Sequence, residues 1–304
     1  MEGKATPVVY CLLDPGNDIQ YVRTGRTFLG DSTLTIKNPD TDSLTWDTEM
    51  FVYIEEFRSD GTKTVIPFTR ETSAQKDSGF FTREALTLWS ASFHPLPGFS
   101  YQLYVWFPDN NKMVTANTVI NGYSELIDPA PLKGRKINFE PGQPFFVRWY
   151  PGDHSGVYSM IFRVHYQDSS AAHIWFNHAD YTTRVLYETR EDQLLDKPLG
   201  GPSFFQAMAD QIPVRIDVSR KVISLEFMLI SGNMDLAFHF QTQSTEGNLF
   251  TNLTDYSNLV NGVGIFAARN SIRVPNLELS NVTIDLLANS EWTKQLGFSD
   301  SRRQ

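Results

Sequence analysis

Short runs of alternating apolar and polar residues dominate the chain, each closed by turn chemistry. In "YSMIFRVHYQD", Tyr158, Met160, Phe162, Val164 and Tyr166 share one parity, while Ser159, Arg163, His165 and Gln167 share the other, interrupted only by Ile161. A period of two with one apolar parity predicts a strand with one face in a core and one face wet. "PVVYCLL" is a short apolar run followed by the turn residues "DPGND", and "IQYVRTGRTFL" is its expected hairpin partner. "MFVYIEEF", "TKTVIPFT", "ALTLWSASF", "SYQLYVWF" and "KMVTANTVI" continue the series. Strands this short, at this spacing, predict a β-sandwich.

"SELIDPAPLKG" carries two prolines between strand-like runs and reads as a linker, with a boundary near Asp128. "KINFEPGQPFFVRWYPGD", "AAHIWFNHADY", "TRVLYET" and "VISLEFMLIS" extend the strand pattern beyond it. Two stretches read as helical. "SFFQAMADQI", near 203–212, has Ser203 as a candidate N-cap and a stripe of Phe204, Phe205, Met208 and Ile212. "TIDLLANSEWTKQLGF", near 283–297, sets Trp292 and Leu296 on one face.

Composition narrows the function classes. The chain has 304 residues, 41% hydrophobic and 20% charged, enough apolar material for real cores and about two domains. Its net charge of −9, without a basic stripe, argues against nucleic acid, whose affinity rests on Lys and Arg contacts to phosphates. No apolar run reaches the length of a membrane span. "MEGKATP" is not a signal peptide, which leaves either a cytosolic protein or one whose targeting segment lies outside this sequence. The single cysteine, Cys11, excludes an internal disulfide and a thiolate metal cage, and its apolar neighbours read as core.

The glycines of "YSNLVNGVGIFAARNS" raise the question of a phosphate loop. A dinucleotide fingerprint needs a third glycine and a following helix. Here Gly262 and Gly264 are followed by Ala267 and a strand-like run, with no P-loop lysine. The structural alternative is an Asn261-Gly262 turn, from which Val263, Ile265 and Ala267 enter a sheet.

Four blocks of the sequence carry a family resemblance. The run Tyr256, Ser257, Asn258, Leu259, Asn261, Gly262, Gly264, Ile265 and Phe266 resembles a motif near the end of uncharacterised Bacteroidota outer-membrane lipoproteins. "TPVVYCLLDPGNDIQYVRTGRTFLG", "PSFFQAMADQI" and "TIDLLANSEWTKQLGF" resemble the same family's opening strands, mid-chain helix and terminal segment. The resemblance implies a lipid-anchored protein on the surface or periplasmic face of the outer membrane, with immunoglobulin-like β-domains and no established reaction. The chain departs from the family in lacking a signal peptide and a lipobox cysteine; the resemblance thus implies a mature form, with the leader removed and Met1 added. The fold expected is mostly β: an N-terminal immunoglobulin-like β-sandwich over 1–127, then a larger β-rich domain over 128–304 with the two short helical stretches.

Candidate chemistry is sparse. His94, His154, His165, His173, His178 and His239 show no metal spacing. His173 and His178 fall on opposite faces of a strand, and His165 approaches His173 only if their strands pair. Asn38, Asp40 and Asp42, and Asp14, Asn17 and Asp18, are oxygen-rich but do not form an EF-hand loop and read as turns. His154 beside Ser155 is not triad geometry. Glu55-Glu56 and Glu188 with Glu191 and Asp192 read as solvated charges. No catalytic residue, metal or cofactor is assigned.

Aromatics, at 13%, are the better functional hint. Tyr104 and Trp106 lie opposite the face of Tyr101, Leu103, Val105 and Phe107, and Trp175 lies opposite Ile174 and Phe176. Aromatics on the second face of a strand pack between domains, form protein interfaces or stack on glycans. The expected function is a non-enzymatic envelope lipoprotein, a binding or assembly component whose partner is an envelope protein, in particular an outer-membrane β-barrel transporter or a secretion protein. Two alternatives stand beside it: a glycan-binding accessory module for polysaccharide uptake, and a hydrolase with an inter-domain cleft.

Overall fold

The computed structural model describes residues 6–27, 49–58, 60–71, 87–108, 111–130, 132, 134–189, 193–243 and 256–303. Asn38, Asp40, Asp42, Glu191 and Asp192 lie outside them.

The strands in chain order are β1 (Pro7–Leu13), β2 (Ile19–Arg26), β3 (Phe51–Phe57), β4 (Lys63–Pro67), β5 (Thr69–Arg70), β6 (Thr87–Ser92), β7 (Ser100–Phe107), β8 (Lys112–Val119) and β9 (Glu125–Asp128). They continue with β10 (Lys136–Ile137), β11 (Phe145–Tyr150), β12 (Ser155–Ser169), β13 (Ile174–Thr182), β14 (Leu186–Tyr187), β15 (Leu195–Leu199), β16 (Ser219–Asn233), β17 (Leu259–Val260) and β18 (Val263–Leu279). Three helices, α1 (Gly201–Gln211), α2 (Met234–Gln243) and α3 (Asn281–Asn289), and a 3-10 turn at Lys294–Leu296 complete the described residues. The chain is mostly β, as its alternation predicts.

It divides into two compact units, and the division is not one cut between 127 and 128. The first unit comprises Met1–Gly122, His154–Gly156 and Gly232–Asn270; the second comprises Tyr123–Asp153, Val157–Ser231 and Ser271–Gln304. The physical reason is strand pairing. β17 pairs with β8, and Val263–Ala268 of β18 run parallel to Val8–Leu13 of β1, so a late segment completes the first unit. The stretch expected as a linker instead forms β9, which pairs with β11, and Leu126 packs on the second core.

The first unit is a β-sandwich with the strand order of an immunoglobulin domain. Its sheets carry the orders β18-β1-β2-β6-β5 and β17-β8-β7-β3-β4, within which β1-β2-β6-β5 and β4-β3-β7-β8 correspond to the A-B-E-D and C′-C-F-G layers. Both sheets give their inward parity to one core: Val9, Cys11, Leu13 and Val22 from the first, Val52, Ile54, Tyr101, Leu103, Val105 and Phe107 from the second. Each such side chain contributes about 1.5–3 kcal/mol on burial. Cys11 is fully enclosed there, and burial pushes its thiol pKa far up. Tyr101 stands at the start of the F-equivalent strand; its hydroxyl accepts from the Leu96 backbone N–H at 2.8 Å and donates to Glu56 Oε2 at 2.8 Å. That is the tyrosine corner of such sandwiches. The disulfide between the two sheets seen in antibody domains has no counterpart in a chain with one cysteine.

In the second unit, Tyr158, Met160, Phe162, Val164 and Tyr166 of β12 are all buried, the parity the sequence assigned to a core. α1 packs Phe204, Phe205 and Met208 onto it, with Phe204 stacked on Phe139 at 4.1 Å between centroids. The helix begins two residues before the predicted start, with Pro202 in its first turn and no side-chain cap from Ser203. The predicted 283–297 element is α3, capped by Ser280 Oγ accepting from Thr283 N, plus the 3-10 turn. Arg220 of β16 is fully buried: Nε donates to Asp168 Oδ1 at 2.8 Å, and Nη1 and Nη2 donate to the Leu296 and Pro213 carbonyls. A buried ion pair thereby fixes the C-terminal segment to the sheet.

Candidate functional site

The glycine-rich stretch is structural. Asn261, at φ 62°, and Gly262 form the turn between β17 and β18, and Asn261 Nδ2 donates to the Met113 carbonyl at 3.0 Å. Gly264 adopts φ 122° and lies against Val9 of β1. Arg269, the cation that follows the glycines, pairs with Asp14 at 2.9 Å. The other face of the Asp14 cluster is an Asx turn, with Gly16 N donating to Asp14 Oδ1 at 2.9 Å. The strand after the turn is not alternating: Gly264 through Ala268 are buried on both faces.

The three candidate aromatics do not form one surface. Tyr104 is half-buried, stacked on Tyr53 at 4.7 Å, with its hydroxyl 2.8 Å from Gln102 Oε1 and 3.1 Å from Glu55 Oε2. Trp106 is 36% exposed and leans on Phe51. Both belong to the first unit. Trp175, in the second, is half-buried under Arg215, whose guanidinium sits 5.8 Å from the ring centre. The exposed parity of its strand is the opposite one: Ile174 is 64% and Phe176 70% exposed.

Among the described strands β13 pairs with β12 alone and stands at the edge of its sheet. In an antiparallel ladder each residue turns both its N–H and its C=O to the same side, and successive residues alternate. The parity is fixed at two places. Thr183 N donates to Met160 O on β12 at 2.9 Å, so odd residues face β12. The Asp180 N–H donates to Gln211 Oε1 at 3.0 Å and the Asp180 carbonyl accepts from Gln211 Nε2 at 2.5 Å, so even residues face away. The carboxamide of Gln211, the last residue of α1, thus takes the place of a neighbouring strand at Asp180. Ile174, Phe176 and His178, of the same parity, hold their backbone groups on the open edge, beside the two exposed apolar side chains.

Glu55 and Glu56 are buried, not solvated: the sandwich brings Lys63 Nζ within 2.6 Å of Glu55, and Tyr101 and Arg58 bind Glu56. The bond from Lys63 holds the Glu55 carboxyl below its usual range, against the opposing effect of burial. His165 faces His178, not His173, which lies in the turn before β13. Among the described residues no group of three His, Cys, Asp or Glu side chains could hold a metal ion. Ser155 is buried and its Oγ accepts from Asn121 at 3.3 Å, while His154 is an exposed turn residue at φ 61°.

Each unit has a cavity among its described residues. One of about 390 Å³ in the first unit is lined by His154, Asn233, Met234 and Asp235. Asp235 Oδ1 accepts from Tyr256 at 2.8 Å, and Oδ2 from Thr118 at 3.0 Å and Asn233 at 3.4 Å. Burial and the neighbouring carboxylate push the Tyr256 hydroxyl pKa well up. Three donors on one carboxylate fasten α2 to β8, and Asn233 Oδ1 accepts from Leu236 N at 3.2 Å at the start of that helix. The second cavity, of about 710 Å³ in the second unit, is lined from the end of β13 and the two residues after it, from β15 and α1, and by Trp292.

No protein-family model matches the chain, and no curated protein matches it. Among solved structures it is similar to a complex described as Dpr11 IG1 bound to DIP-gamma IG+IG2, at 8% identity and a TM-score of 0.17, over 91% of this chain and 98% of that one. So low a score assigns neither fold nor function. No helix among the described residues is long and apolar enough to cross a membrane.

Proposed function

We propose that this protein is a non-enzymatic binding component of a bacterial cell envelope. It is held at the outer membrane by a lipid anchor and recognises another envelope protein through the open edge of β13. The observation that carries the reading is the free edge at Ile174–His178 with Ile174 and Phe176 exposed beside it. Exposed strand edges template pairing with another chain, and natural sheets ordinarily blunt them. Here Gln211 closes the edge at Asp180 and leaves the backbone groups of Ile174, Phe176 and His178 open. A partner segment added there gains backbone hydrogen bonds from the ladder and side-chain contacts from Phe176 and Ile174. The envelope setting rests on the four resembling sequence blocks, and a partner of the outer-membrane transporter or secretion class fits that setting.

The test is gentle detergent extraction of tagged protein from native envelopes, beside a Phe176→Asp variant and a Val65→Asp control on the first unit. The reading expects a stoichiometric envelope protein with wild type and with the control, and its loss with Phe176→Asp. A solitary protein in all three eluates, or equal recovery with Phe176→Asp, overturns it.

A further inference from the structure

The larger cavity of the second unit has a charge character opposite to that of the chain. The protein carries a net −9. Yet Arg184 and Lys197 both line this cavity, and neither side chain has an ion pair or hydrogen bond among the described residues. The one carboxylate in the lining, Asp210, accepts from Gln206 Nε2 at 2.7 Å. In an acidic protein, where carboxylates outnumber cations 35 to 26, two cations against one carboxylate on one concavity give a local positive balance that attracts an anion.

The rest of the lining defines the anion further. Trp292 lines the same cavity, and its indole is fixed by stacking on Phe205, 5.8 Å between centroids at 8°. An aromatic plane held by packing offers a flat apolar surface to a ligand ring. Thr182 and Ser203 add exposed hydroxyls. The cavity, at about 710 Å³, falls within the range of small-molecule sites, roughly 300–1,000 Å³. The framework is rigid: Lys197 pairs across β15 with Val147 of β11, and α1 is anchored by buried Phe204 and Phe205.

We propose that this cavity binds an acidic sugar, a uronate-type residue. Its carboxylate pairs with Arg184 and Lys197, its ring lies on Trp292, and its hydroxyls reach Thr182 and Ser203. The guanidinium supplies the directional, charge-assisted bonds and the ammonium a point charge. The site takes in Tyr181 and Thr182 at the end of β13 but none of the open stretch Ile174–His178, and it adds a ligand class to a protein read as a protein binder.

The test is calorimetric titration at low salt with three probes: a galacturonate tetramer, its neutral galactose counterpart, and citrate. The proteins are wild type, Arg184→Gln/Lys197→Gln and Trp292→Leu, each checked for an unchanged far-ultraviolet spectrum. The galacturonate tetramer is expected to bind wild type, with affinity lowered about tenfold or more in the double variant, as loss of charge-assisted bonds implies. The neutral tetramer is expected to bind at least about tenfold more weakly for the same reason. Trp292→Leu is expected to weaken the uronate but not citrate. Should Trp292→Leu misfold, Thr182→Val takes its place with the same expectation. Three results overturn the proposal: no uronate binding to wild type, undiminished binding to the double variant, or citrate binding as tight as the uronate with no effect of Trp292→Leu. Phe176→Asp is expected to leave uronate binding unchanged, so failure here and failure of the β13 reading are separable.

Discussion

Gly264→Ala is the substitution that separates a structural glycine from a ligand loop. Two costs add at this position. The backbone is at φ 122°, a conformation open to glycine and costly to other residues, about 1–3 kcal/mol. A Cβ built there would lie 2.0 Å from the Val9 carbonyl oxygen and 2.9 Å from its carbon, which are backbone atoms of the neighbouring strand. Val9 pairs with Gly264 in the parallel β1–β18 ladder, so relief requires opening that ladder and losing a hydrogen bond, about 1 kcal/mol more. The sum is about 2–4 kcal/mol, and the melting temperature should fall by roughly 10 °C. Gly262→Ala is the internal contrast. Its Cβ would meet Val114 Cγ1 at 2.9 Å and the Pro7 carbonyl oxygen at 3.2 Å, both looser than the 2.0 Å approach at Gly264, and with no positive φ to add strain the expected cost is about 1–2 kcal/mol. Urea denaturation of the two variants decides the matter. A Gly264→Ala cost below about 1 kcal/mol, or a larger cost for Gly262→Ala, refutes the reasoning, since the close approach to Val9 would then carry no weight.

Arg220→Met leaves Asp168 buried beside an apolar chain and should cost about 3–5 kcal/mol, measured by urea denaturation, with partial recovery in Arg220→Met/Asp168→Leu. Tyr101→Phe strands the Leu96 N–H and leaves Glu56 with Arg58 as its remaining partner, and should cost about 1–3 kcal/mol in the same assay, although it changes no apolar contact. Two bonds from Arg163 at 2.8 Å hold the Asp180 carboxyl below its usual range. A depressed folded pKa adds stability above the unfolded carboxylate value, near ~4, that is lost as pH falls through the lower folded value. The acid limb of a stability–pH curve should therefore flatten in Arg163→Gln. Cys11 should resist a thiol reagent in native protein and react at once in urea, because its thiol is enclosed and its ionisation suppressed.

Strand positions were legible in the sequence because a period of two requires only one core face. The parities of Tyr101–Phe107 and Tyr158–Tyr166 are those observed. Pairing between distant strands was not, because parallel contact between β1 and β18 leaves no local trace in either segment. That contact also explains why a division at 127/128 differs from the compact units. β18 begins buried on both faces, so alternation could not mark it. α2 was hidden by the apolar run before it, although Asn233 followed by Asp235 is a helix-start pattern. The aromatic faces were read correctly as geometry, but exposure depends on what covers each face. Arg215 covers Trp175, whereas Ile174 and Phe176 stay open. Gln211 standing in for a strand is a contact 31 residues apart, and its glutamine is unremarkable in sequence.

The most direct measurement is residue-resolved amide exchange along β13, in the free protein and then with the partner recovered from native envelopes. The account predicts fast exchange at Ile174, Phe176 and His178, slow exchange at Trp175, Asn177 and Asp180, and protection of the three fast amides when the partner binds. Slow exchange at Phe176 in the free protein, or partner binding that leaves all three amides fast, contradicts it.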